Sequence, residues 1–117
     1  MYRLFLILFI LSPMAMAGEV DQRAALEALK HPGTVLIDVR TAEEYAEGAL
    51  PGSIRIDPED LGARIASVAP DKDRPVVLYC RSGRRASAVQ DQLQQLGYSQ
   101  VINGGGYEQM HEAVQGE

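Results

Sequence analysis

The sequence contains one cysteine, Cys80, so no disulfide bond can form within the chain. Basic residues are few: 11 lysines and arginines stand against 16 acidic residues, which gives a formal net charge of -5. This balance argues against nucleic acid as a partner, because phosphate backbones need a basic surface. His31 and His111 have no matching cysteine or carboxylate spacing, so we expect no metal site and no cofactor.

Length and composition leave room for one folded domain. The 117 residues are too few for separate catalytic and cofactor-binding domains. With 46% hydrophobic and 23% charged residues, the chain matches ordinary globular proteins, which excludes wholesale disorder and a multi-span membrane protein. The sequence has no internal repeats or low-complexity segments. A single core must therefore support the whole function.

The first 17 residues have the pattern of a secretory signal peptide. Arg3 supplies a positive start, residues 4–11 are almost wholly apolar, and Ala15-Met16-Ala17 places small residues at the cleavage positions. A membrane anchor is the alternative interpretation, but a span needs about 20 apolar residues and Ser12-Pro13 interrupts this run. The pattern therefore predicts export with cleavage.

Cleavage after Ala17 would leave residues 18–117 as the mature domain, with residues 1–17 removed as the signal peptide. No cysteine stands at the new N-terminus, so lipid attachment of the bacterial lipoprotein kind has no acceptor. We expect a periplasmic, soluble domain with no stable membrane association. Exported proteins of this size normally use cysteines in pairs, so a lone Cys80 needs an explanation from burial or from chemistry.

Strands and helices are predicted to alternate along the rest of the chain. Residues 34–39 and 75–79 are aliphatic and β-branched with few interruptions, as in strands buried on both faces. The alternation predicts an α/β fold with a small, mostly parallel sheet and helices on both faces. Helices are expected at residues 21–30, 41–48, 58–69, from the Cys80 loop to about residue 96, and at 107–114. Two further strands are expected at residues 53–56 and 101–102. Residues 103–106 are expected to form a turn with close backbone packing.

Cys80 lies where a predicted strand ends and a predicted helix begins, which is where parallel sheets bind ligands. The positive end of the helix dipole and the charges of Arg81, Arg84 and Arg85 all favour a thiolate. Gly83 lets the loop turn tightly, so that successive backbone N–H groups point inward as a cradle for an anion. We therefore expect a nucleophile at Cys80 and a small oxyanion in the loop.

Plainer interpretations exist for the same residues. Most lone cysteines are small buried hydrophobes, and arginines at a helix start can simply be solvated. Basic residues in a first helical turn oppose the helix dipole, however, so three of them here indicate a bound anion. Asp38 and Arg40, a charged pair at the end of the first strand, are expected to tie loops together rather than to position substrate.

Five segments in order resemble the rhodanese family. They are Leu36-Ile37-Asp38-Val39-Arg40, Glu44-Tyr45, Gly48-Ala49-Leu50-Pro51-Gly52-Ser53-Ile54, the loop Cys80-Arg81-Ser82-Gly83-Arg84-Arg85, and Leu96-Gly97-Tyr98 leading into Asn103-Gly104-Gly105. Together they extend over nearly all of the chain after the predicted signal peptide. With that signal peptide, the sequence is especially similar to small periplasmic thiosulfate sulfurtransferases of the phage-shock type.

The resemblance implies a sulfurtransferase enzyme. In that family the cysteine attacks the outer sulfur of thiosulfate, releases sulfite, and carries a persulfide that a thiol or cyanide acceptor then removes. Carried over, Cys80 is the catalytic residue, and a protein sulfur acceptor is a further partner to consider. Sulfite leaves easily without a protonating residue, so the lack of a general acid is no objection. The implied substrate-binding residues are Arg81, Ser82, Gly83, Arg84 and Arg85.

The chain departs from the family pattern at two places and leaves other functions open. The family often has a histidine where this chain has Ala49, and a tryptophan near the closing turn that is absent here. The alternatives are a protein-to-protein persulfide carrier, a phosphatase or arsenate reductase of related fold, and a silent interaction domain. Related phosphatases place five residues between cysteine and arginine. Cys80 and Arg85 enclose four, and Ala86 follows, which favours sulfur transfer.

Overall fold

The computed structural model describes residues 19–116, which form an all-parallel sheet with helices packed on both faces. The predicted signal peptide lies outside the described residues. No helix within 19–116 has the length and apolar character needed to cross a membrane. The strands are β1 (Val35–Asp38), β2 (Ile54–Arg55), β3 (Val76–Cys80) and β4 (Val101–Gly106), and the helices are α1 (Gln22–Leu29), α2 (Ala42–Glu47), α3 (Pro58–Val68), α4 (Arg84–Gln95) and α5 (Tyr107–Gln115).

The strand order is β2-β1-β3-β4, and each neighbouring pair is parallel. This arrangement confirms the predicted α/β class, with β1 and β3 as the two central strands. Because parallel strands end at the same edge of the sheet, the loops after β1 and β3 lie side by side. The Cys80 loop and the segment beginning with Arg40 therefore meet at this edge.

Local sequence signals explain where the helices begin. The side chain of Asp21 caps α1 by accepting the N–H of Ala24 at 3.0 Å. Thr41 and Glu44 form a capping box at the start of α2: the Thr41 hydroxyl accepts the N–H of Glu44, and the Glu44 carboxylate accepts the N–H of Thr41. Pro58 opens α3, where its missing N–H costs nothing.

Alternating side chains of the central strands divide the core between the two faces of the sheet. On one face, Leu36, Val77 and Tyr79 pack against residues of α1 and α5. On the other face, the intervening residues of β1 and β3, including Cys80, pack against α3 and α4. Both faces of the sheet are therefore covered, and the site cysteine belongs to the α3 and α4 side.

Residues 103–106, expected to form a turn, instead continue β4, so that prediction is wrong. The strand keeps pairing with β3 through a register shift between Leu78 and Cys80, which sets Cys80 opposite Gly106. Close backbone packing, the other half of the expectation, is present: an added Cβ at Gly106 would lie 2.6 Å from the Arg81 carbonyl oxygen. Glycine is required here because the strand runs directly beneath the Cys80 loop.

Candidate active site

Cys80 is the last residue of β3, and its side chain is only 2% exposed. Its Sγ accepts a hydrogen bond from the backbone N–H of Gly83 at 2.8 Å. The loop between the strand and α4 therefore folds back over the sulfur. A backbone N–H aimed at sulfur stabilises negative charge there, as an anion cradle does.

Gly83 is the N-cap residue of α4 and has a left-handed backbone with φ of +93°. A residue with a side chain would be strained at this φ. Space is also short, since an added Cβ would lie 3.1 Å from Val20 Cγ2 and 3.3 Å from Gly105 Cα. The Gly83 carbonyl accepts both the N–H of Ser87 at 3.1 Å and its hydroxyl at 3.0 Å. The expected tight turn at Gly83 is thus confirmed, with a steric reason for the glycine.

Asn103 was not predicted as a functional residue, yet its fully buried side chain contacts the loop. Its Nδ2 donates to the Gly83 carbonyl and to the Ser87 hydroxyl, each at 3.0 Å. Its Oδ1 accepts the N–H of Gly105 at 2.9 Å. The sequence carried only a weak signal for this role, an amide side chain directly ahead of three glycines.

Arg81 and Ser82, at the outer part of the loop, are exposed. The Arg81 guanidinium is 3.6 Å from the Glu44 carboxylate of α2, and most of its surface is accessible to solvent. Hydrogen bonding from the Thr41 backbone, with help from the positive charge of Arg81, lowers the pKa of Glu44 below its ordinary value. The pair ties the loop loosely to α2 and leaves Arg81 able to reorient toward an anion.

Arg84 and Arg85 form the first turn of α4, and both are exposed. The Arg85 Nη1 donates to the Val39 carbonyl at 3.3 Å, so this side chain spans from the loop to the end of β1. The positive charge of all three arginines is therefore distributed around the loop that covers Cys80. A dianion such as a sulfur oxyanion would find complementary charge at this edge of the sheet.

Asp38 and Arg40, at the end of β1, form a buried ion pair. The Nε of Arg40 donates to both oxygens of Asp38, and its Nη2 donates to Asp38 Oδ2 at 2.7 Å and to the Gly48 carbonyl at 2.7 Å. The guanidinium also lies over the Tyr107 ring, 4.1 Å from its centroid. Burial alone would lower the pKa of Arg40, but the hydrogen bonds that it donates to the Asp38 carboxylate, together with the negative charge there, raise it above its ordinary value.

Tyr79 precedes Cys80 but points to the opposite face of the sheet. Its hydroxyl accepts the N–H of Leu50 at 3.1 Å and donates to the Ser53 hydroxyl at 3.2 Å. Burial raises the pKa of Tyr79 to about 12. The side chain therefore anchors the turn after α2 to the strand that carries the cysteine.

A cavity of about 410 Å³ opens beside the loop, between α2 and α5. This volume lies within the usual range for small-molecule sites. Its walls carry charges of both signs, since they include Arg40 and Arg81 together with Glu44, Glu47 and Glu108. A small charged molecule can enter next to the residue that follows Cys80.

Comparison with known proteins identifies the family to which this arrangement belongs. A family model described as the rhodanese-like domain matches residues 21–113, which is most of the chain. The chain belongs to the rhodanese family. The resemblance drawn from the five sequence segments is therefore confirmed, and the matched residues include the whole Cys80 loop.

Individual members of the rhodanese family show the extent of the similarity. The chain is 39% identical to the thiosulfate sulfurtransferase PspE of Escherichia coli (strain K12) over 70 residues, 60% of this chain and 67% of that one. It is 35% identical over 89 residues to a sulfurtransferase of Allochromatium vinosum, covering 75% and 81% of the two chains. A solved rhodanese with anions from E. coli shares 36% identity with a TM-score of 0.63, covering 64% of this chain and 88% of that one.

These matches confirm the predicted rhodanese-like fold and the expectation of a sulfurtransferase enzyme. Between the end of β3 at Cys80 and the start of α4 at Arg84, the loop consists of Arg81, Ser82 and the N-cap residue Gly83. Of the predicted site residues, the structure brings Gly83 onto the Cys80 sulfur, while the side chains of Arg81, Ser82, Arg84 and Arg85 lie at the exposed rim.

Proposed function

We propose that the protein transfers sulfane sulfur from thiosulfate to a thiol or cyanide acceptor through a persulfide on Cys80. The observation that carries the proposal is the Gly83 N–H donated to the Cys80 sulfur at 2.8 Å. A donor in this position favours negative charge on that sulfur, both as the attacking thiolate and as the persulfide. The names of the relatives as sulfurtransferases support the same chemistry.

In the first step, the Cys80 thiolate attacks the outer sulfur of thiosulfate. A sulfur–sulfur bond forms to Cys80, the bond within thiosulfate breaks, and its electron pair leaves with sulfite. In the second step, the acceptor thiolate or cyanide attacks the terminal sulfur of the persulfide. The electron pair of that bond returns to Cys80 as thiolate, so the enzyme is restored and no external oxidant or reductant is needed.

The substrate-binding residues of the proposal are Arg81, Ser82, Gly83, Arg84 and Arg85. Exposed guanidinium groups around the loop attract an anionic donor, and the E. coli rhodanese solved with anions supports this role. The cavity beside Arg81 gives the acceptor a route to the loop. A specific protein that docks its own thiol against this rim is the alternative acceptor.

We further propose that residues 1–17 are a signal peptide and that the domain of residues 18–117 acts in the periplasm. The basic start, the short apolar run and the Ala15-Met16-Ala17 sequence support this. A single cysteine suits an oxidising compartment when its thiol is shielded, and Cys80 is buried.

Mass spectrometry of the purified protein after thiosulfate treatment tests the proposed chemistry. We expect one added sulfur atom on the peptide that contains Cys80, and its loss as thiocyanate when cyanide is added. Cys80→Ser is the matched control, because serine is similar in size but forms no persulfide. Thiosulfate treatment that leaves the mass of the wild-type protein unchanged would contradict the proposal.

A further inference from the structure

The side chain of Asn103 connects the sheet to the loop that holds the site sulfur. Asn103 lies in β4, opposite Leu78 of β3, and is fully buried. Its amide nitrogen donates to the Gly83 carbonyl and to the Ser87 hydroxyl, while its amide oxygen accepts the Gly105 N–H. One side chain thus contacts the cysteine loop, the first turn of α4 and its own strand.

Gly83 is the residue through which this contact reaches the sulfur. Its N–H donates to Cys80 Sγ, and its carbonyl accepts from Asn103. Glycine has the widest backbone freedom of all residues, so its conformation must be fixed by its surroundings. The N–H and the carbonyl of Gly83 belong to neighbouring peptide planes that are joined at its Cα, where φ is +93°. Holding the carbonyl through the Asn103 amide therefore restricts the directions in which the Gly83 N–H can point.

Asn103 is itself held rigidly on the other side. Its backbone carbonyl accepts the N–H of Asp21 at 2.8 Å, just before α1. The following residues bring the strand into contact with its neighbours: an added Cβ at Gly104 would lie 3.3 Å from the Leu78 carbonyl oxygen. The anchor that holds Gly83 is therefore fixed by both its own strand and the chain that precedes α1.

We propose that Asn103 is a positioning residue for sulfur transfer, which keeps the Gly83 N–H aimed at the Cys80 sulfur. It touches neither the sulfur nor the substrate and acts through Gly83. Its role in catalysis rests on the proposed function, whereas its control of the Gly83 N–H rests on geometry alone. The two are tested by separate readouts.

Asn103→Asp is the principal variant, because aspartate has the same shape but its ionised carboxylate cannot donate to the Gly83 carbonyl. We expect kcat/KM for sulfite release from thiosulfate to fall about 10- to 100-fold. This is the range produced by loss of one hydrogen bond to a charged group, here the bond from the Gly83 N–H to the Cys80 thiolate. The deficit relative to wild type should shrink as the pH falls and the introduced carboxyl group becomes protonated, since a carboxylic acid can donate.

Tyr98→Phe is the matched control. The Tyr98 hydroxyl donates to the Ala69 carbonyl at 2.7 Å, so this variant also loses a buried hydrogen bond, but away from the loop. We expect it to lose stability while keeping wild-type kcat/KM and no unusual pH dependence. If Tyr98→Phe and Asn103→Asp lose activity to the same extent, a general loss of stability explains both and the proposal is overturned.

Amide hydrogen exchange measured by NMR gives a readout that does not depend on sulfur transfer. The Gly83 amide should be protected in wild type and in Tyr98→Phe, and should exchange markedly faster in Asn103→Asp. If the wild-type protein releases no sulfite, the proposed function fails, but this comparison still tests the positioning role. An unchanged Gly83 exchange rate in a folded Asn103→Asp variant would overturn the inference.

Ser87→Ala decides the question if Asn103→Asp does not fold. It removes the second side-chain donor to the Gly83 carbonyl and a partner of Asn103. We expect a roughly 2- to 10-fold loss of kcat/KM, as for one neutral hydrogen bond, with faster Gly83 exchange. Wild-type values for both measurements in Ser87→Ala would count against the proposal.

Discussion

Arg40 and Asp38 meet in a buried, multiply hydrogen-bonded ion pair, with Arg40 Nη2 2.7 Å from Asp38 Oδ2. The same Nη2 donates to the Gly48 carbonyl, at the end of α2. The pair therefore fastens the loop after β1 to the helix that follows it. Because Arg40 also lines the cavity beside the Cys80 loop, its structural and substrate-binding roles need to be separated by experiment.

Asp38→Ala tests that separation. Removing the carboxylate leaves the buried guanidinium of Arg40 without a counter-charge, which costs about 3 to 5 kcal/mol of unfolding free energy. If the pair only ties loops together, we expect the KM for thiosulfate of Asp38→Ala to stay within about twofold of the wild-type value. The comparison is made under conditions where the variant is fully folded. Glu27→Ala, which breaks the exposed pair with Lys30, is the control and should cost no more than about 1 kcal/mol. A large rise in KM without loss of stability would instead place Arg40 in the substrate site.

Arg85→Ala should weaken use of the anionic donor. We expect KM for thiosulfate to rise about 10-fold or more in steady-state kinetics, as expected for loss of a charge-assisted hydrogen bond. Arg85→Lys keeps the charge but not the planar group that reaches the Val39 carbonyl. Its KM for thiosulfate should therefore lie between the values of wild type and Arg85→Ala. Arg64→Ala, an exposed arginine of α3, controls for the change in net charge. An unchanged KM in Arg85→Ala would remove this residue from the donor site.

Sulfur transfer and phosphate hydrolysis should separate clearly in a paired assay. Four residues lie between Cys80 and Arg85. The next residue, Ala86, is buried in the core and has no charged group that could bind a phosphoryl group. We expect thiocyanate from thiosulfate and cyanide, and no phosphate from an aryl phosphate, with Cys80→Ser as the blank for both. Phosphate release that depends on Cys80, with no thiocyanate formed, would make the phosphatase interpretation the better one.

The buried hydroxyl of Tyr79 should make stability fall in alkali. Burial raises its pKa to about 12, above the ordinary value of 10.0, so the unfolded state loses its proton first. The contribution of the protonated Tyr79 hydroxyl to the free energy of unfolding is complete below pH 10. It is lost as the pH rises toward 12, by about 3 kcal/mol in total. Urea unfolding at several pH values measures this loss. Tyr79→Phe should be less stable at neutral pH but should lack this part of the alkaline decline.

Export should leave Gly18 as the first residue of the mature protein. Sequencing the N-terminus of protein recovered from the periplasmic fraction checks this expectation directly. Replacing Ala15 and Ala17 with bulky residues should block cleavage and retain the precursor, because the cleavage site needs small side chains. Residues 1–17 found intact on wild-type protein in a membrane fraction would show an anchor instead.

Much of the fold was predictable because its signals are local. The Thr41 and Glu44 capping box, the Asp21 cap and the aliphatic strands each act within a few residues, and all are present in the structure. The position of Cys80 at a strand-to-helix junction followed from the same signals. Short-range patterns were therefore enough to place Cys80 at the correct edge of the sheet.

Features that depend on contacts between distant residues were not predictable in this way. A run of three glycines favours a turn by local preference, but pairing with β3 extends β4 through Gly106. The part played by Asn103 depends on that pairing, because only the register of β4 brings its amide to Gly83. The contact of Arg85 with the Val39 carbonyl likewise joins segments 46 residues apart.

Val20 packs against Gly83 and Gly105 and forms a bridge with Asn103, so the start of the described chain lies against the loop that carries the cysteine. A recombinant affinity tag or fusion partner placed just ahead of Glu19 would be separated by only one residue from Val20, which makes this contact. The carboxyl end offers a safer position, because the nine residues of α5 carry the chain about 13 Å from its start at Tyr107. Kinetic constants obtained with an amino-terminal tag would therefore describe a loop with an altered neighbour.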